Sequence, residues 1–221
     1  MFDYTDKILN SPDALHQIEV LNEAIKEEKE RRHEFREWVT PNMKAEFING
    51  ETILHSPVKM RHWKVSNLLS SLLSVYVRSR KLGKIGTEKV MISLTRNDYE
   101  PDLVFFSKEK MDKFEEDQML FPAPNFVVEI LSKKTAARDR GVKKEDYAAH
   151  GIVEYWIIDA EQQTIDQYTL NSPSDTKYAV AKTYTINDDI ESKVIEGFYI
   201  PVKALFDEEE NLRTIQSFIQ M

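Results

Sequence analysis

The sequence contains no cysteine. That excludes a disulfide framework and any thiolate metal site, and it suits a reducing compartment. Glycine is scarce, with six in 221 residues. No phosphate-cradling glycine-rich loop is present, which disfavours the nucleotide-binding α/β classes. No apolar run approaches the roughly 18 residues that a membrane helix needs. Met1-Phe2-Asp3-Tyr4 lacks the basic-then-apolar order of a signal peptide. The expectation is a cytoplasmic protein with no membrane contact. Positive charge is in deficit, with 30 Lys and Arg against 38 Asp and Glu and a net charge of −8. A field of that sign repels phosphate and argues against a general polyanion binder. It leaves room for a local basic patch, or for metal ions, to carry a phosphate contact.

The remaining composition is that of an ordinary folded chain, with a 41% apolar share. Residues 13–38 have helical composition. Leu15, Ile18, Leu21, Ala24 and Ile25 make an apolar stripe at helical spacing. The expected role is a helix packing its first half on the domain; a short dimerisation helix is the sharper alternative, and it leaves a homodimer open. Ala45 to Ile53 reads as a hairpin about Asn49-Gly50, a strong two-residue turn signal. From about Lys59 to Arg80, Val65, Leu68, Leu69, Leu72, Leu73, Tyr76 and Val77 share one broad helical face. His62 near its start reads as a surface or capping residue. Strands are expected over Glu88–Leu94, after Asp102, over Phe126–Leu131, Glu154–Asp159 and Thr164–Leu170, with further strands in 177–186 and 192–200. A helix is expected over 135–150 and a short helical turn over 201–206. These elements predict a mixed α/β fold, a mixed sheet flanked by helices. The expected organisation is an N-terminal helical extension (1–40), one domain (41–208) and a C-terminal tail (209–221).

Two apolar runs carry the chemistry. Pro101-Asp102-Leu103-Val104-Phe105-Phe106 and Phe126-Val127-Val128-Glu129-Ile130-Leu131 do not alternate, the pattern of strands covered on both faces. Each nevertheless holds one carboxylate. Burying an unpaired carboxylate costs several kcal/mol, so Asp102 and Glu129 must meet a cation. That cation is an Arg or Lys side chain, or a divalent metal held by both. Hard oxygen ligands of this kind suit Mg²⁺ or Mn²⁺. Lys133, Lys134, Arg138, Arg140, Lys143 and Lys144 follow Glu129 closely, a local basic excess of the kind a phosphate contact needs.

Glu100-Pro101-Asp102-Leu103-Val104, Val127-Val128-Glu129-Ile130-Leu131-Ser132, Arg138-Asp139-Arg140-Gly141 with Lys143 and Tyr147, and Gly151 through Asp159 resemble the PD-(D/E)XK nuclease superfamily. More narrowly they resemble its Uma-type restriction endonucleases. The resemblance spans roughly 45–206. It implies a restriction-endonuclease-like fold and Mg²⁺- or Mn²⁺-dependent hydrolysis of DNA. It assigns Asp102 and Glu129 to the metal. The superfamily's lysine usually lies two positions after the acidic residue, where this chain has Leu131; the Uma-type lysine matches Lys143 on the next helix. Glu46 matches an acidic position of the family's opening hairpin and joins the catalytic candidates, whereas Asn49 reads as a turn residue. The alternative is a nuclease-fold binding or scaffold module without catalysis, in which Glu129 pairs with an Arg or Lys.

Overall fold

The computed structural model describes residues 3–220, which fall into two compact units, Met1–His55 and Ser56–Met221. The first unit begins with α1 (Asp3–Leu9) and α2 (Ala14–Trp38). The apolar stripe of α2 is not buried. Leu15 is 79% exposed and Ile18, Leu21 and Ile25 are also exposed. The only buried residue of α2 is Phe35, whose ring lies 5.7 Å from that of Phe47. Strands β1 (Ala45–Ile48) and β2 (Glu51–Leu54) pair antiparallel with Ile48 opposite Glu51. Asn49 and Gly50 turn between them at φ 50° and 84°, the left-handed pair that a tight hairpin of this twist requires.

The second unit is organised around α3 (Met60–Arg80) and a six-stranded sheet. The expected face of α3 is buried through Val65, Leu69, Leu72, Leu73, Tyr76 and Val77. The helix ends at Lys81, which takes the left-handed conformation two residues before Gly83. Gly83 instead opens β3 (Gly83–Thr87), a strand not anticipated. Glu88 and Lys89 turn the chain at positive φ, so the strand expected over 88–94 shortens to β4 (Met91–Ser93), followed by β5 (Asp98–Tyr99). Next come β6 (Leu103–Ser107), α4 (Lys108–Met111), β7 (Leu120–Phe121) and β8 (Phe126–Ile130). Strand β4 pairs with β5 antiparallel and with β7 parallel.

The helix expected over 135–150 is broken. It comprises α5 (Ala136–Arg138), a kinked turn over Asp139–Lys143, and α6 (Lys144–Ala149). The backbone leaves helical angles at Gly141 (φ −109°, ψ −107°). Strands β9 (Glu154–Asp159), β10 (Thr164–Thr169) and β11 (Lys182–Tyr184) follow. The sheet order is β11-β10-β9-β8-β6-β3. Strands β8 and β9 are parallel and the other neighbours antiparallel. The parallel pair is what the α5–α6 crossover makes necessary. The chain closes with the pair β12 (Asp189–Glu191) and β13 (Tyr199–Pro201), a 3₁₀ turn over Val202–Leu205, and α7 (Glu208–Gln220). Phe218 of α7 stacks edge-on against Tyr76 at 5.0 Å.

Alternation along β8 divides the two faces of the sheet. Phe126, Val128 and Ile130 join Trp156, Ile158 and the α3 residues in one core. Glu129 points to the opposite face, where Tyr147 of α6 meets Tyr155 of β9 at 5.2 Å, rings perpendicular. Both faces of β8 are thus covered, as its unbroken apolar run predicts. Among the described residues, no helix is long and apolar enough to cross a membrane.

Candidate active site

The register of β6 against β8 places Leu103 opposite Val128. Asp102 immediately precedes Leu103 and Glu129 immediately follows Val128, so the two flank the end of this ladder. Both carboxylates are buried, at 5% exposure each. Asp102 is fixed from two sides. Its Oδ2 accepts the backbone N–H of Ile130 at 2.8 Å. Its Oδ1 lies 3.2 Å from Nε2 of His62. His62 is therefore not the surface or capping residue expected, since it is buried in the first turn of α3.

Glu129 is met by the crossover. Lys143 Nζ donates to Glu129 Oε1 at 2.8 Å, and the Tyr147 hydroxyl donates to the same oxygen at 2.9 Å. Lys143 also stands 3.6 Å from Asp139 Oδ1 and 5.7 Å from the centre of the Tyr99 ring. Asp139 and Lys143, four residues apart on either side of the Gly141 break, share one side of the crossover, and both are buried. Tyr147, four residues further, continues the same face. Asp139 and Tyr147 are members of the cluster to which residue reading alone assigned no role, and their spacing of four residues on either side of Lys143 is the signal that would have found them.

The wall behind Lys143 is held by hydrogen bonds from Tyr99 and Asn97 to Asp146. Tyr99 donates its hydroxyl to Asp146 Oδ2 at 2.8 Å, and Asn97 donates to the same oxygen at 2.7 Å. Burial, then the Asp146 charge, pushes the Tyr99 phenol well above its ordinary value. Burial does the same to Tyr155, with Glu129 and Asp139 adding to it. Both phenols remain protonated donors across the accessible pH range.

The basic run divides into distinct roles. Lys143 is buried, Arg140 is exposed and pairs with Asp166 at 2.6 Å, and Lys144 lies 5.5 Å over the Tyr168 ring. Lys133 and Lys134 are exposed. Glu46 belongs to the first unit. It is buried on β1, and its Oε2 lies 2.9 Å from His55 Nε2, so it is not a solvated surface glutamate. Asn49 is a turn residue, as expected.

Among the described residues, no three His, Asp or Glu side chains form a ready cage for a metal ion. The donor chemistry nonetheless fits Mg²⁺ or Mn²⁺, which need only one or two carboxylates and complete their shells with water and substrate oxygens. Asp102 and Glu129, both buried at neighbouring strands, are the carboxylates that could serve this way.

The sequence matches the Uma2 family over residues 32–203. A search of the curated proteins returns no match. Among solved structures, the chain is similar to one titled as the crystal structure of a putative nuclease belonging to DUF820 from Anabaena variabilis, with a TM-score of 0.68 and 18% identity over 79% of this chain and 96% of that one. The fold is therefore shared with that protein. A type IIG restriction endonuclease, BpuSI, also aligns, over 75% of this chain and 17% of its own at 14% identity, but with a TM-score of 0.37. The match covers most of the chain, and the protein belongs to the Uma2 family, described as putative restriction endonuclease.

Proposed function

We propose that this protein is a Mg²⁺- or Mn²⁺-dependent endonuclease that hydrolyses DNA phosphodiester bonds in the cytoplasm. The observation that carries the reading is the burial of two carboxylates, Asp102 just before β6 and Glu129 on the neighbouring β8, with Lys143 delivered to Glu129 at 2.8 Å. It accords with a family described as putative restriction endonuclease. Asp102 and Glu129 would hold the metal. A bound divalent ion supplies an activated water and Lewis-acid stabilisation of the phosphate.

The chain's own groups do the rest. Tyr147 and Lys143 fix the Glu129 carboxylate in one orientation, and His62 and the Ile130 N–H fix Asp102. The Lys143 ammonium, preorganised between Glu129 and Asp139, offers a positive charge to the reacting phosphate, where fixed charge acts most strongly. Glu46 is a further acidic candidate from the first unit. Cleavage of both strands in one encounter requires two sites, so a homodimer accompanies the reading.

A second reading is a binding or scaffold module of the same fold without catalysis. The ion pair between Lys143 and Glu129 favours it as well, because that reading expects Glu129 to be neutralised internally. The two diverge on metal and on cleavage. The test is Asp102→Ala assayed on linear and supercoiled DNA with each metal. The nuclease reading expects metal-dependent cleavage by the parent and its loss in a variant that still melts cooperatively. Full activity in the variant refutes the assignment, and a parent that neither cleaves nor gains melting temperature with metal leaves the scaffold reading standing. Glu46→Ala in the same assay decides whether Glu46 takes part.

A further inference from the structure

The longest acid-free stretch of the sequence lies beside the site. No Asp or Glu stands between Glu51 and Glu88, in a protein of net charge −8, and α3 falls wholly inside that stretch. The helix opens on Lys59-Met60-Arg61-His62-Trp63-Lys64, cations interleaved with apolar and aromatic side chains. His62 turns inward to Asp102 Oδ1 at 3.2 Å. Lys59, Met60 and Arg61 are exposed, and Trp63 is 47% exposed. Two contacts fix where this turn sits. One is the bond of His62 to Asp102. The other is Arg61 to Glu161 at 2.9 Å, in the turn that follows β9. Strand β9 ends beside β8, where the Leu131 N–H donates to the Ile158 carbonyl. The first turn of α3 therefore stands at the end of the sheet that holds Asp102 and Glu129. It flanks that end on the face opposite to Glu129 and the Lys143 crossover.

We propose that Trp63 is a stacking platform for an unpaired base, and that with Lys59, Arg61 and Lys64 it makes single-stranded DNA the preferred substrate over intact duplex. The inference rests on the nuclease reading given under Proposed function and names the form of DNA that its site takes. The indole is available for the role. Among the described residues, no other ring stacks on it and no cation lies over it. Scattered exposed apolar side chains are ordinary, but Trp63 stands with the exposed Val58 and Met60, among cations, one residue from the contact to Asp102. The cations can serve a phosphate backbone. Lys59 makes no ion pair among the described residues. Arg61 with Glu161, and Lys64 with Glu208 at 3.1 Å, are solvent-exposed pairs of the kind that hold weakly, so a phosphate can replace either carboxylate. The preference for a single strand follows from stacking. Bases inside a duplex have both faces covered by their neighbours, whereas an unpaired base offers its face to an aromatic ring whatever its identity. The negative charge of the protein as a whole limits what duplex binding through phosphates alone can contribute.

The test uses the full chain, in chelator so that binding is read without cleavage, with labelled oligothymidylate and a blunt duplex of the same length as probes. Fluorescence anisotropy should give tighter binding of the single strand, and tryptophan emission should be quenched as it binds. Trp63→Leu keeps an apolar side chain but removes the ring. It should weaken single-strand binding about tenfold, leave duplex binding nearly unchanged and remove the quenching. Trp63→Tyr should restore most of the affinity, and Trp38→Leu should leave the quenching in place. With three phosphate contacts, log affinity should fall against log salt with a slope of about −2, and Lys59→Gln should make that slope shallower by about 0.7. Equal affinity of the parent for the two probes, or single-strand affinity and quenching that survive Trp63→Leu, overturns the inference while leaving the nuclease reading intact. A parent that binds neither probe and cleaves neither when metal is added overturns the nuclease reading and this inference with it.

Discussion

Replacing Lys143 by methionine isolates the charge at the centre of the site. The two side chains have similar length, so the stem of the lysine is replaced and the ammonium alone is lost. The lysine side chain is 3% exposed and faces Glu129 at 2.8 Å and Asp139 at 3.6 Å, themselves 7% and 1% exposed. Water cannot take the ammonium's place at these positions. Removing one partner of a buried ion pair costs about 3–5 kcal/mol, because the remaining charge stays desolvated. For a chain of this size each kcal/mol moves the melting temperature by roughly 2–4 °C, so a fall of about 6–20 °C is expected. Urea melts followed by circular dichroism give the free energy directly. A double-mutant cycle with Glu129→Gln should show that the second change costs at least about 1 kcal/mol less once Lys143 is gone, as expected for groups in direct contact. Mn²⁺ should then restore part of the loss, since a divalent ion can replace the missing positive charge; saturation at a hundred times the dissociation constant is worth about 2.7 kcal/mol. A Lys143→Met loss below about 1 kcal/mol, with additive behaviour in the cycle, would refute the view that this lysine neutralises the buried carboxylates.

Three further changes probe what surrounds the site. Tyr147→Phe removes the hydroxyl that donates to Glu129 at 2.9 Å and should cost about 1.5–3 kcal/mol, the range for a hydrogen bond to a charged group; an unchanged urea midpoint would show that the bond contributes nothing. Glu154 is fully buried and accepts from Trp156, Gln167, Ser192 and the N–H groups of Lys193 and Val194, so Glu154→Gln, which sets a donor against donors, should destabilise at neutral pH by about 2 kcal/mol or more. Burial pushes the Glu154 carboxyl up against the pull of those donors; its stability contribution is therefore complete below the unfolded pKa and lost as pH rises through the folded one, and the parent's advantage over the variant should shrink with rising pH through that window. Gly83→Ala would place a Cβ 2.0 Å from the carbonyl oxygen of Phe106 and should lower the melting temperature by several degrees, whereas an unchanged melt would mean that β3 can shift away from β6.

The large elements were legible where burial imposes a period. The face of α3, the unbroken apolar runs of β6, β8 and β9, and the Asn49-Gly50 hairpin all appear as expected. What failed to show was of two kinds. Strand β3 consists of Gly-Lys-Ile-Gly-Thr, which has neither alternation nor β-branched density; it is a strand because its edge pairs with β6, and tertiary pairing overrides weak propensity. The stripe at the start of α2 has the spacing of a packed face yet is exposed. Periodicity shows that a helix has an apolar side and does not show that anything covers it.

At the site, the readable quantity was membership of a buried face. His62 lies three residues before Val65 and seven before Leu69, within the same spacing that marked the core of α3. Assigning it to the surface because it is a histidine gave residue type precedence over position. Asp139, Lys143 and Tyr147 likewise recur every four residues after Glu129. A straight helix would also have set them on one side, but the expectation of a solvated basic face obscured the acid and the phenol among the cations. A polar residue at a core position of an amphipathic helix must find a partner, because its unpartnered burial costs at least as much as an ordinary hydrogen bond contributes. Such residues therefore mark where two elements bring opposite chemistry together. Here α3 brings His62 to Asp102 and the broken crossover brings Lys143 and Tyr147 to Glu129. Two helical segments from opposite sides of the chain order thus serve two neighbouring strands. The Gly141 break is the one feature that no periodic pattern could reveal, because it lies in the backbone angles and not in the order of side chains.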